Sequence, residues 1–289
     1  MSDNSVDLAV HASTDRLVTD RLQTIAQSPI GKMAKARPQT LFAGMEAAAG
    51  EVLAIPSIRH RSALYELGGR AKISPGVVRA IHEQIARNLR LAGQRGIVSS
   101  SRENWRWCRP QPHIAEHNTS AEVNLERAIA AACLRAGRQD WANQVPVASG
   151  IVGPAADRRR AIDLVHQVGI GHFELIELKI ASDTPLYAAI EIIGYGCVWL
   201  LARARRSPEA NALLGADKLD LIVLAPGAYY APFQLDKLEA LLDAELAALG
   251  ERNGVHMAFR FERLPDQLVQ PSLLGDDTLL ELLDLRRPL

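Results

Sequence analysis

Apolar residues recur at three- and four-residue spacing through 14–28, 39–54, 60–68 and 75–93, the period of helices that bury one face. In the last of these, Val77, Val78, Ile81, Ile85 and Leu89 form one stripe. Ser74-Pro75 reads as its start, and Gly93 and Gly96 as its stop. Residues 99–119 break the pattern. Ser99-Ser100-Ser101, Pro110, Pro112 and Asn118-Thr119 are turn formers, which places a linker or domain boundary here. Ser120 then caps a helix over 121–136 that Gly137 ends.

From 141 the period shortens to that of strands. Strands are expected over 141–149, 160–168 and 173–181, with Gly169-Ile170-Gly171 as a tight connection between the last two. A long, mostly apolar helix follows over 185–204, then a strand at 219–224 closed by Pro226-Gly227. An amphipathic helix at 235–249, a strand at 255–261 and a short acidic helix complete the chain. From 120 the order is helix, three strands, helix, strand, helix, strand, which is an α/β sheet with helices on its faces. The expected division is a mainly helical N-terminal region, 1–118, and an α/β domain, 119–289. No internal repeat is visible.

Composition changes this picture little. The 289 residues are 48% hydrophobic and 23% charged, near the globular average, and 20 Gly with 15 Pro exclude a low-complexity chain. Lys plus Arg is 33 and Asp plus Glu is 33. A net charge of zero excludes the strongly basic nucleic-acid binders, but not a local basic patch. Such patches are Arg59-His60-Arg61, Arg158-Arg159-Arg160 and Arg203-Ala204-Arg205-Arg206. Cys108, Cys133 and Cys197 lie far apart, so no CxxC zinc pattern exists, and so sparse a usage fits a reducing compartment. Residues 1–20 lack the basic and apolar segments of a signal peptide. The longest apolar run, 186–202, contains Glu191 and two glycines and reads as a buried helix rather than a membrane span. A cytoplasmic protein without membrane association is expected.

The chemistry concentrates on two neighbouring strands. The first reads Ala161-Ile162-Asp163-Leu164-Val165, the second Glu174-Leu175-Ile176-Glu177-Leu178-Lys179-Ile180. Strand side chains alternate between faces, so Glu177 and Lys179 share a face, about 7 Å apart along the strand. Pairing about a turn centred on Ile170 sets Asp163 opposite Glu177, with β-carbons about 5 Å apart. Two carboxylates at that distance repel unless a cation compensates them, and a hard divalent ion is suited to the task. Lys179 is then placed to hold or deprotonate a metal-bound water, or to neutralise developing charge. The surrounding residues are strongly apolar, and charges persist in such strands only when paired or liganded.

These residues give the region 120–262, about half the chain, a resemblance to the PD-(D/E)XK, or restriction-endonuclease-like, nuclease superfamily. Members of that superfamily have a helix, a three-strand meander, a second helix and another strand. They carry an acid on the second strand and (D/E)xK on the third. The resemblance implies that Asp163, Glu177 and the backbone carbonyl of Leu178 bind Mg2+ or Mn2+, and that Lys179 assists the attacking water. It implies a glutamate on the first helix: Glu126 in Asn124-Leu125-Glu126-Arg127, or Glu122 one turn earlier. It also implies a polar residue on the second helix, where Glu191 and Tyr195 lie four apart on one face. The signature proline is absent, since Ile162 precedes Asp163. The implied activity is phosphodiester hydrolysis by an endonuclease or exonuclease, with DNA the first expected substrate. Cutting two strands favours a symmetric homodimer. The alternative is a nuclease-like domain that has lost catalysis and serves as a nucleic-acid-binding or assembly module.

Further signals flank this core. Arg158, Arg159 and Arg160 enter the second strand beside the site, either to clamp backbone phosphates or as a solvated loop. Trp105-Arg106-Trp107-Cys108-Arg109 interleaves aromatic and basic residues, as base-stacking surfaces do, although two such tryptophans more often dock a linker onto a core. His113-Ile114-Ala115-Glu116-His117 reads HxxEH, an inverted zinc-peptidase pattern. Its flanking Pro110, Pro112 and Asn118-Thr119-Ser120 leave little room for the helix that zinc ligation requires. His166 and His172 flank the strand turn without ligand spacing and read as structural. No phosphate-cradling GxxxxGK[ST] or GxGxxG loop and no GxSxG elbow occurs.

Overall fold

The apolar stripe of 75–93 folds as Val77–Gly93, but Ser74 does not cap it. The amides of Gly76 and Val78 donate instead to the carboxylate of Glu245, the latter bond 2.9 Å long. An acid from a helix far along the chain thus occupies the positive end of this one. Such cross-ties run throughout the computed structural model, which describes residues 40–93, 105–107, 109–114, 117–147, 160–205 and 212–289. The helix expected over 14–28 lies outside the described residues.

In chain order the helices are α1 (Met45–Leu53), α2 (Arg61–Gly69), α3 (Val77–Gly93), α4 (Ala121–Arg135), α5 (Pro185–Arg203), α6 (Gly227–Tyr230), α7 (Asp236–Arg252) and α8 (Asp276–Asp284). The strands are β1 (Trp141–Pro146), β2 (Ala161–Gly169), β3 (His172–Leu178), β4 (Lys218–Pro226), β5 (His256–Leu264) and β6 (Arg287–Pro288). They form one mixed sheet in the order β1-β2-β3-β4-β5-β6. The β1–β2, β2–β3 and β5–β6 pairs are antiparallel, and β3–β4 and β4–β5 are parallel. Each parallel pair needs a crossover, and α5 and α7 supply them.

The sheet is covered on both faces. On one side Val165, Leu175, Leu221 and Phe261 pack with residues of α1, α2, α3, α5 and α7. On the other Leu164, Ile176, Ile222 and Leu264 pack with Leu125, Ile129 and Leu283 of α4 and α8. β4, apolar from Leu221 to Ala225, is buried on both faces, as a central parallel strand must be. The helices before residue 118 share this core: Met45, Leu64 and Ile81 belong to the same cluster as Ile192 and Leu221.

One expected boundary moves for a physical reason, and one strand was not expected. β3 stops at Leu178, short of residue 181. The amides of Ile180, Ala181 and Ser182 all donate to Oε1 of Glu122, each at 3.2 Å, so a carboxylate replaces the ladder there. β6 is only two residues long, too short to leave a periodic signal.

Helix α5 passes the length and hydropathy test for a membrane span, yet 83% of that window is buried inside the fold. It starts at Thr184, whose Oγ1 accepts from the Tyr187 amide at 3.2 Å, with Pro185 in the first turn. Its two glycines set how closely its neighbours approach. A β-carbon on Gly194 would meet Met45 Sδ at 2.5 Å, and one on Gly196 would meet Leu221 Cδ1 at 2.6 Å. Gly196→Ala therefore forces the helix away from β4. We expect it to cost about 1–3 kcal/mol, the usual range for overpacking, read as a lower urea midpoint with unchanged slope. An unchanged midpoint would show that Leu221 gives way freely.

Candidate active site

The β2–β3 ladder pairs Val165 with Leu175 and Leu164 with Ile176, and ends there. Continued by one residue, that register sets Asp163 opposite Glu177. At this point the Leu178 amide donates to Oδ2 of Asp163 at 2.9 Å, so a side chain takes the place of a backbone acceptor. Nearby, Lys179 Nζ donates to Oε1 of Glu177 at 2.7 Å and lies 3.8 Å from Oε2 of Glu191 on α5. The Lys179 amide donates to the Leu224 carbonyl at 3.0 Å, which fixes this corner against the end of β4. Asp163, Glu177 and Lys179 are thus brought together at the end of the β2–β3 pair, with Glu191 reaching them from α5.

The electrostatics follow from burial. Glu177 and Lys179 side chains are only 6% and 10% exposed. Burial, reinforced by Asp163 and Glu191, pushes the Glu177 carboxyl well above the usual range. Burial likewise raises Asp163 to about 6, against the pull of Lys179 and the Leu178 amide. Lys179 shows the opposite balance. Burial disfavours its charge, but Glu177 and Asp163 outweigh it and hold the ammonium above its ordinary value. Lys179 is therefore a fixed cation here, suited to orient a water or an anion rather than to remove a proton.

The two helix glutamates take different roles. Glu126 is 2% exposed and accepts from Asn143 Nδ2 at 3.0 Å and Gln144 Nε2 at 3.1 Å. Burial and the neighbouring Asp163 raise its carboxyl to about 8, despite those two amides. Glu122 gathers the three amides after β3. Burial would raise it, but the backbone donors prevail and hold it at about 2. Glu126 is the member of this pair beside Asp163 whose proton lies near neutrality. Sequence patterns did not single out Asn143 or Gln144. Gln144 holds a left-handed φ of 49° within β1, a conformation that costs energy for a non-glycine residue and that gathers at functional sites. The polar Asn143-Gln144 pair inside an apolar strand was the available signal.

Helix α5 and the N-terminal helices wall the other side. Glu191 Oε1 accepts from Arg160 Nη1 at 2.8 Å and from the Tyr195 hydroxyl at 3.3 Å. Tyr195 packs edge-on against Phe42, and the Arg160 guanidinium lies 5.0 Å from the same ring. Arg59 stacks 3.8 Å over Tyr187 and is clamped by both oxygens of Glu46. Arg160 thus faces inward to Glu191, while Arg158 and Arg159 lie outside the described residues.

The other sequence signals resolve differently. Trp105 is 1% exposed and Trp107 stacks edge-on against Phe173 at 5.4 Å, so both tryptophans dock onto the core. In the HxxEH segment His113, Ile114 and His117 are in turns and Ala115 and Glu116 lie outside the described residues. His166 bonds Glu174 at 2.9 Å and His172 bonds Asp220 at 3.1 Å, within an ionic ladder completed by Arg260 and Arg286. Among the described residues, no three His, Cys, Asp or Glu side chains form a ready metal cage. Magnesium does not need one, because it binds through one or two carboxylates and keeps several waters. Asp163, Glu177, Glu126 and Glu191 outnumber the cations Lys179 and Arg160 in this cluster, and all offer hard oxygen donors, so the residues fit Mg2+ or Mn2+. No protein-family model, curated protein or solved structure matches the chain, and its function is read from these residues.

Proposed function

We propose that the chain is a metal-dependent nuclease with a restriction-endonuclease-like core, hydrolysing phosphodiester bonds of nucleic acid, DNA first among them. The observation that carries this reading is the opposition of Asp163 and Glu177, with Lys179 bonded to Glu177 and Glu126 beside Asp163. The run α4, β1–β2–β3, α5, β4 supports it, since this is the element order of that core. Asp163, Glu177 and the Leu178 carbonyl would hold Mg2+ or Mn2+. The bound ion would polarise the phosphate and stabilise charge on the attacking and leaving oxygens. Lys179, kept charged by its acidic neighbours, orients the attacking water toward phosphorus. Glu126, with a carboxyl near neutrality, is tuned to take up a proton in that setting. Glu191 and Tyr195 hold the α5 side of the site and keep Lys179 in place. Cys133 and Cys197, buried as free thiols, support a cytoplasmic setting. A symmetric homodimer would serve cuts on two strands.

The test is cleavage of plasmid, single-stranded DNA and RNA by the purified full chain with Mg2+, Mn2+ or EDTA. Cutting that requires the metal and stops with EDTA is the expected result. Absence of cutting on every substrate, with no Mn2+ bound in calorimetry, would overturn the reading in favour of a binding or assembly module.

A further inference from the structure

Helix α6 places two tyrosines side by side, their rings edge to face at 5.3 Å. Their hydroxyls meet different fates. Tyr230 donates to the Val223 carbonyl at 2.7 Å and so closes the end of β4. The Tyr229 hydroxyl is buried and has no hydrogen-bond partner among the described residues, in a residue only 8% exposed. A phenylalanine would fill the same space without leaving a buried donor unsatisfied, so the hydroxyl is a cost that packing does not explain.

The place of this hydroxyl gives it a use. Tyr229 follows β4 by three residues, and β4 is the strand whose Leu224 carbonyl accepts the Lys179 amide. The carboxyl ends of β3 and β4 therefore converge on one corner, the usual position of a ligand crevice in sheets with parallel strands. Tyr229 is close enough to feel the charges of Lys179, Glu177, Asp183 and Glu122. Burial holds its phenol well above the ordinary value, so it stays a donor at any working pH. A neutral donor beside a fixed ammonium is a chemical match for an anionic oxygen, and a mismatch for a metal ion.

We propose that the Tyr229 hydroxyl is a substrate-contacting group, donating its hydrogen bond to an oxygen of the scissile phosphate beside Lys179. This rests on the nuclease reading above. The substrate brings the partner that the described residues do not supply, and because charge on that oxygen grows in the transition state, the bond acts more on turnover than on binding.

The test is Tyr229→Phe in the full chain, measured for cleavage and for urea stability. The expected result is a drop in kcat of about 10- to 100-fold at saturating substrate, with a smaller change in KM. The unfolding midpoint is expected to stay level or rise, because the variant removes only an unsatisfied donor. Three results would overturn the inference. Cleavage within twofold of wild type, while Lys179→Met has none, would leave the nuclease reading standing and remove Tyr229 from it. A lowered midpoint with unchanged kcat would show that the hydroxyl is satisfied inside the fold. No cleavage by wild type on any substrate would remove both the inference and the reading it rests on, and an unchanged or raised midpoint would then show the hydroxyl merely unsatisfied.

Discussion

Lys179→Met and Asp163→Asn are each expected to lower metal-dependent cleavage by about 1,000-fold or more, the scale of removing one preorganised charge from a water-poor site. The two variants fail in different ways, which makes them informative together. Methionine keeps much of the lysine stem but leaves Glu177 and Glu191 without the ammonium now 2.7 and 3.8 Å from them. That variant should bind Mn2+ at least as tightly as wild type, because a competing cation is gone, while losing the group that orients the water. Asparagine keeps an oxygen for the Leu178 amide, which Asp163 accepts at 2.9 Å, so the corner stays closed. It removes the negative charge, and with it metal affinity. Calorimetry with Mn2+ therefore separates a lost ligand from a lost orienting group, and near-ultraviolet circular dichroism checks that both variants are folded. Cleavage within tenfold of wild type for both would mean that the chemistry resides elsewhere in the chain.

Much of the fold was legible because its elements are long and periodic. α5 reads as one apolar run since it is buried all round, and β4 does so since both its faces are covered. The helix start was misread at Ser74, because the group that serves it, Glu245, lies 169 residues further along than Gly76. No local pattern carries that tie. The length of β3 was misread for the same reason, with Glu122 reaching across from α4.

The opposition of Asp163 and Glu177 was legible by a route that conceals a detail. The connecting turn is not centred on Ile170: Gly169 pairs with His172, and Ile170-Gly171 form a two-residue loop with Gly171 at φ 70°. Continued from there, the ladder would set Leu164 opposite Glu177, and Asp163 would fall on the other face. An extra residue in β2, between Gln167 and Gly169, shifts the register by one and restores the opposition. The bulge leaves Val168 and Ile170 exposed at the hairpin tip. One residue thus decides whether the two carboxylates meet, and no alternation rule could have revealed it. The partners of Glu126 were hidden differently, since Asn143 and Gln144 belong to no motif and act through a backbone angle visible only in three dimensions.

Those partners make the largest expected stability effect accessible. The Glu126 carboxyl is held at about 8 in the folded chain, against 4.5 for the free side chain, through burial first and Asp163 second. Between those pH values the folded protein keeps a proton that the unfolded chain has released. Stability therefore falls as pH rises through this window, and levels off above about 8. The full cost is about 5 kcal/mol, a large share of a typical folding free energy. Glu126→Gln removes it, because the neutral amide accepts from Asn143 at every pH and the Gln144 amide can rotate to meet its NH2 group. In chelator, the variant should match wild type near pH 4.5 and exceed it by about 4 kcal/mol at pH 8, read from urea midpoints across the range. Added Mn2+ should narrow that gap by stabilising wild type, and the variant should gain its stability while losing cleavage, the trade expected where charge is crowded for chemistry. Parallel stability curves for the two proteins would show that Glu126 is already ionised at neutral pH, and would strip it of the proton-accepting role.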